Sequence, residues 1–126
     1  IRRMTADLDM GITIVGVPTV REPDGLAMSS RNAYLSPEER GTARALPRAL
    51  AVAGRLFNDG ERDPAMLVAE ALGVLGNAKG VEVEYVEART EDLRRVLSLG
   101  DRAVVLAAVR VGKTRLIDNL VLGRRR

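Results

Sequence analysis

Histidine and cysteine are both missing from this 126-residue chain, and aromatic side chains nearly so: Tyr34, Phe57 and Tyr85 are all it has. Without cysteine there is no disulfide and no thiolate metal site, and the composition fits a reducing cytoplasm. Without histidine as well, the usual donor set of a zinc centre is gone. The commonest general base and the thiol nucleophile are excluded by the same two absences. No apolar run approaches the roughly 20 residues that a membrane helix needs, and no signal peptide is expected ahead of the fold. An excess of one charge is lacking too: 20 basic residues face 17 acidic ones, a net charge of +3. Three of those basic residues form the terminal run Arg124, Arg125 and Arg126, expected to be a solvated end with weak nonspecific anion contact. A nucleic-acid binder concentrates its basic residues on one face and interleaves stacking aromatics, and neither is present.

What is present is aliphatic. At 46% hydrophobic the chain can bury a core, and Ala, Leu and Val must build it. The length suits one domain, or one domain plus a remnant of another. The chain opens at Ile1 in mid-pattern and reads as a piece of a longer protein.

Residues 1–9 read as the last turns of a helix, with Ile1, Met4 and Leu8 on one face. Gly11 allows a turn into "ITIVGV" (12–17), whose apolar residues at both parities predict a strand buried on both faces, as in an α/β sheet. Pro18, Pro23, "DG" and "SS" make residues 18–35 a loop long enough to suspect function or a domain junction. Ser36-Pro37-Glu38-Glu39 is a helix start, with Ser36 as cap and Glu39 closing a capping box. The helix runs to about Phe57, and Pro47 within it predicts a kink or break. Asp63-Pro64 starts a second helix, with Leu67, Val68, Ala71, Leu72 and Leu75 as its buried stripe, ending at "NAKG". Val81, Val83 and Tyr85 then alternate with Glu82 and Glu84, a half-exposed strand. "TEDLRRVLSLG" is expected as a short helical turn. Residues 102–111 form an apolar strand, Gly112-Lys113 a two-residue hairpin turn, and "TRLIDNLVL" the returning strand. The order is a fragment of α/β, a long loop, two helices and an antiparallel sheet of about three strands. That is an α+β domain behind a remnant of another.

"AAVRVGKT" superficially suggests a phosphate loop. However, position 107 is Ala where that motif needs Gly, and apolar strands flank both sides where strand, loop and helix are required. Glu82, Glu84, Glu87, Glu91 and Asp92 could suggest a divalent metal, but alternating Glu on a strand is usually its solvated face. Asp118 and Asn119 must face opposite sides of their strand, so one packs inward and satisfies a neighbouring backbone, a stabilising role. The remaining cluster is Ser29-Ser30-Arg31-Asn32. Its two hydroxyls, adjacent amides and guanidinium supply donors without a base, which suits phosphate oxygens and the charge that builds on them as a phosphoryl bond breaks. The alternative is that Ser29, Ser30 and Asn32 form the turn and Arg31 is solvated.

The run "GVPTVREPDGLAMSSRNAYLSPEER", with the later "YVEA" and "VGKTRLIDN", closely resembles the pantothenate synthetase family, the pantoate–beta-alanine ligases. The resemblance covers essentially the whole chain and is most specific from Gly16 to Leu35. It implies a Rossmann-like nucleotidyltransferase domain of the class I aminoacyl-tRNA synthetase type, of which residues 1–35 would be the end. Residues 36–126 would be a C-terminal lid domain, and the "MSSRN" segment would replace the mobile Lys-Met-Ser-Lys-Ser loop of those relatives. The implied substrates are ATP with Mg²⁺, pantoate and beta-alanine, with no tightly bound cofactor, no protein-bound metal and no covalent protein nucleophile. Carried over by position, Val20 would contact the nucleotide through its backbone. Met28, Ser29, Ser30 and Arg31 would close over its phosphates. The family's His-x-Gly-His motif and the following Lys and Asp segment are absent, so the chain is expected to be the C-terminal part of the enzyme and inactive alone. A homodimer is the assembly typical of the family. A noncatalytic binding domain is the competing reading, and a small basic domain contacting nucleic acid a third.

Overall fold

The computed structural model describes residues 1–123; the arginine tail at 124–126 lies outside the described residues. Two elements from the first third precede a two-layer body. Helix α1 covers Arg2–Asp7, and a 3₁₀ turn covers Ser30–Tyr34. The body contains helices α2 (Pro37–Ala43), α3 (Ala45–Asn58) and α4 (Pro64–Gly76), followed by strands β1 (Val81–Arg89), β2 (Ala103–Val111) and β3 (Thr114–Leu122). The strands form one antiparallel sheet in the order β1-β2-β3. This is the expected α+β architecture of two main helices and three strands.

One face of the sheet carries Ala103, Val105, Ala107, Val109 and Val111 of β2, together with Leu116 and Leu122 of β3. Against them pack Leu46, Ala49, Leu50, Ala53 and Phe57 of α3, and Leu67, Ala71 and Leu75 of α4. Side chains as small as alanine on both layers bring helix and sheet close. At Gly54 of α3, an added Cβ would stand 2.8 Å from a methyl of Leu120. Phe57, the only phenylalanine, is buried with the Arg62 guanidinium 3.9 Å from its ring centre.

Five expectations need correction. Leu72, expected in the buried stripe of α4, is exposed. Residues 12–17 form no strand, and Ile12, Val15 and Val17 are exposed. A strand needs a neighbour for its amides and carbonyls, and no described strand lies beside this one. The helix expected from Ser36 to Phe57 breaks at Arg44, three residues before Pro47. The break puts Pro47 in the first turn of α3, where a backbone N–H would have no intrahelical partner. Residues 90–100 are not helical. Thr90 Oγ1 accepts the Arg94 amide at 2.8 Å, and Leu93 adopts a φ of 67°, so a side chain closes this turn in place of the helical ladder. Finally, Tyr85 leaves the inward row. The pairing of β1 with β2 shifts between Val83 and Tyr85, a bulge that turns Tyr85 outward and brings Val86 and Ala88 to the core side.

Candidate functional site

The Ser-Ser-Arg loop is built on a small closed ring of backbone. Arg21 and Ala27 form an isolated bridge, and the Met28 amide donates to the Val20 carbonyl at 2.9 Å. Gly25 supplies the turn with a φ of 89°, and the Asp24 carboxylate accepts the Leu26 amide at 3.2 Å. Leu26 is fully buried in the main core, so the ring is pinned to the body. Polar ties reinforce it. Glu22 pairs with Arg40, Asp24 pairs with Arg40 at 3.2 Å and with Arg44 at 3.6 Å, and Asn32 donates to Glu22 and to the Ala27 carbonyl. Oδ1 of Asn32 is buried without a partner among the described residues.

The five candidate residues follow from this frame. Val20 and Met28 are exposed, and Val20 already commits its carbonyl to Met28. Ser29 caps the 3₁₀ turn: its Oγ accepts the Arg31 amide at 3.2 Å, leaving its hydroxyl hydrogen free to donate outward. Ser30 and Arg31 are exposed, and Arg31 has no carboxylate partner among the described residues. Met28, Ser29, Arg31 and Asn32 line a cavity of about 400 Å³ shared with Tyr85, Arg115 and Asp118 of the sheet. Arg31 also lines a neighbouring open cleft of about 790 Å³, with Tyr34, Glu39 and the hairpin residues Gly112 to Arg115. Val20 and Ser30 line neither.

The hairpin and Arg21 are contributions that the motif did not reveal. The turn at Gly112 abuts the Glu39 carboxylate so closely that a Cβ at 112 would overlap it. Glu39 also accepts the Ser36 amide while Ser36 caps the Glu39 amide, so the capping box is closed as expected and its rear is walled by the hairpin. Arg115 is held by Glu84, 2.6 Å away, which raises the guanidinium's affinity for its proton. Arg21 makes a two-pronged pair with Asp118 at 2.7 and 3.0 Å, and that hydrogen-bonded pairing likewise raises its pKa. Asp118 is the inward residue of the Asp118-Asn119 pair, and its Oδ1 accepts the Asn119 amide at 2.7 Å. The alternation of β3 exposes this signal, because Asp118 shares parity with Leu116 and Leu120, and a buried carboxylate calls for a cation.

Chemically, the loop is a donor array with no base. Among the described residues no group of three or more carboxylates is placed to hold a metal ion, and no helix is long and apolar enough to cross a membrane.

Comparison with known proteins identifies the family of the chain. The family model for pantoate-beta-alanine ligase matches residues 1–121. The chain is 52% identical to the pantothenate synthetase of Geobacter sulfurreducens over 124 residues, covering 98% of this chain and 44% of that protein. It is 50% identical to the pantothenate synthetase of Methylococcus capsulatus over 123 residues, 97% of this chain and 43% of the relative. The crystal structure of the pantothenate synthetase from Thermus thermophilus superposes with a TM-score of 0.85 at 39% identity, covering 94% of this chain and 43% of that one. The chain therefore spans under half the length of these relatives. With a family model matched along nearly all of it, the chain belongs to the pantoate–beta-alanine ligase family.

Proposed function

We propose that this chain is part of an ATP-dependent ligase that joins pantoate to beta-alanine through a pantoyl adenylate, and that its Met28–Arg31 segment serves the nucleotide phosphates. The observation that carries the reading is the exposed donor array itself: Ser29 has its lone pair engaged and its hydrogen free, and Arg31 has no carboxylate partner among the described residues. Such a set stabilises negative charge on oxygen and can do little else.

The chemistry asks little more of this segment. The pantoate carboxylate attacks the α-phosphorus of ATP, forming the acyl phosphate bond as pyrophosphate departs. The amine of beta-alanine then attacks the acyl carbon, losing a proton as the amide forms and AMP leaves. Both nucleophiles belong to substrates, so no side chain need become acylated. Arg31 offsets charge on the departing pyrophosphate, Ser29 and Ser30 donate to its oxygens, and the backbone at Val20 meets the nucleotide. Mg²⁺ enters with ATP. Residues 1–35 belong by descent to the nucleotide domain, and residues 36–126 form the lid over it. The expected setting is cytoplasmic, with a homodimer as the expected assembly.

The test uses the full-length parent protein beside the 126-residue chain. The parent should form pantothenate, AMP and pyrophosphate from the three substrates, and the chain alone should form none. Pantothenate from the chain alone would refute the view that the rest of the site lies elsewhere, and an inactive parent would refute the ligase. Arg31→Ala in the parent should slow adenylate formation by about 10²- to 10³-fold, the range for losing one preorganised donor, with pantoate affinity little changed. The parent gene should also encode His-x-Gly-His upstream of this segment; finding it downstream reverses the order of the parts.

A further inference from the structure

The geometry points to Arg21 and Asp118 as positioning residues for the phosphate loop: a latch that fixes the Met28–Arg31 donors against strand β3. This inference rests on the ligase reading of the same loop. The pair is unlike the other described ion pairs in two respects. Asp118 has only 1% of its side chain exposed, whereas the carboxylates of the other pairs are at least 18% exposed. Arg21 also spends its donors on backbone, giving one to the Gly25 carbonyl at 3.1 Å and one to the Asn119 carbonyl at 3.3 Å. A single guanidinium thus joins the inside of the loop ring, a buried carboxylate and the backbone of β3.

The placement matters because Arg21 lies at the neck of the ring. Its neighbour Val20 accepts the Met28 amide, and Arg21 itself bridges Ala27. Ser29 follows directly, so whatever orients the neck orients the donors. Asp118 is at the same time on the wall of the cavity that Met28, Ser29 and Arg31 line. Without the latch the loop would keep the Leu26 anchor and the Arg40 pairs, which hold its far side. The fold should therefore survive while the donors lose their register to the phosphates. Charge transfer to a departing pyrophosphate is sensitive to such register, since a displacement of about 1 Å can cost 10²-fold in rate.

The experiment uses the full-length parent enzyme with Asp118→Asn, nearly the same shape without the charge, and Arg21→Lys, which keeps the charge and loses the fork. Pyrophosphate exchange into ATP reports the first half-reaction. Transfer from supplied pantoyl adenylate to beta-alanine reports the second. We expect exchange to fall by about 10- to 100-fold, as for a donor array displaced by an ångström, with transfer within about threefold and the melting temperature nearly kept. Equal losses in both half-reactions, in step with a lowered melting temperature, would make the pair merely structural and overturn the latch. Trypsin cleavage after Arg31 gives a readout that does not depend on the reaction: Asp118→Asn should accelerate it, and an unchanged rate overturns the latch. An unmodified parent with no exchange activity would instead refute the ligase reading and leave the proteolysis result to decide the latch.

Discussion

Glu84 is shared by two arginines, Arg110 at 3.1 Å and Arg115 at 2.6 Å, at the bulge where β1 loses register with β2. The hydrogen bond from Arg115 is the largest influence on it and lowers its pKa from the ordinary 4.5. A carboxylate depressed in the folded state adds stability above its unfolded pKa, and that contribution is lost as the pH falls through the lower folded value. The titration of Glu84 followed by NMR should accordingly have its midpoint below 4.5, and Arg115→Met should move it back upward; a midpoint at or above the ordinary value would refute the pairing. Because Glu84 is at the surface, the effect on overall stability should be small. Local chemistry of this kind was readable in part from the chain. The Ser36–Glu39 capping box follows from four consecutive residues, and strand parity puts one of Asp118 and Asn119 inward, which the structure finds to be Asp118. Its partner Arg21 did not follow, because nothing local links a loop arginine to a strand 97 residues later.

Helix α3 lies on β3 through Gly54, and the close approach is what permits Leu120 to pack there. Gly54→Val would bring a branched side chain into that contact, and overpacking of a filled core typically costs about 1–3 kcal/mol. Urea unfolding should show a loss of that order, and trimming Leu120 to alanine in the same chain should recover part of it; additive losses would mean the two do not touch. The start of helix α2, helix α4 and the β2–β3 hairpin were readable because each carries its own punctuation: Ser36-Pro37, Asp63-Pro64 and Gly112-Lys113. The failures share a cause, since each depended on something outside the segment. Residues 12–17 have strand composition and no strand to pair with among the described residues. The turn at Thr90 is decided by a side-chain hydrogen bond, which a periodicity argument does not see. The outward turn of Tyr85 comes from one extra residue in β1, invisible until the register with β2 is known.

Ile12, Val15, Val17 and Val20 form an exposed apolar run beside a well-packed body. Apolar surface gathered in this way favours association. The 126-residue chain should therefore self-associate with rising concentration in sedimentation, and Val15→Lys with Val17→Asp should reduce that association without lowering the melting temperature. A chain that stays monomeric at high concentration would contradict this. The candidate site divides the same way: the Met28–Arg31 donors were readable from a short motif, whereas the cavity wall formed by Tyr85, Arg115 and Asp118 was not, because it exists only once the sheet has closed. The 97-residue span of the Arg21–Asp118 pair also orders events during synthesis. Contacts so distant along a chain form late, because the intervening segment must first be ordered. A ribosome that has released the Ser-Ser-Arg loop must still deliver the helices and most of the sheet before Asp118 emerges. The loop is made among the first residues of this segment, yet its tie to the sheet can close only among the last.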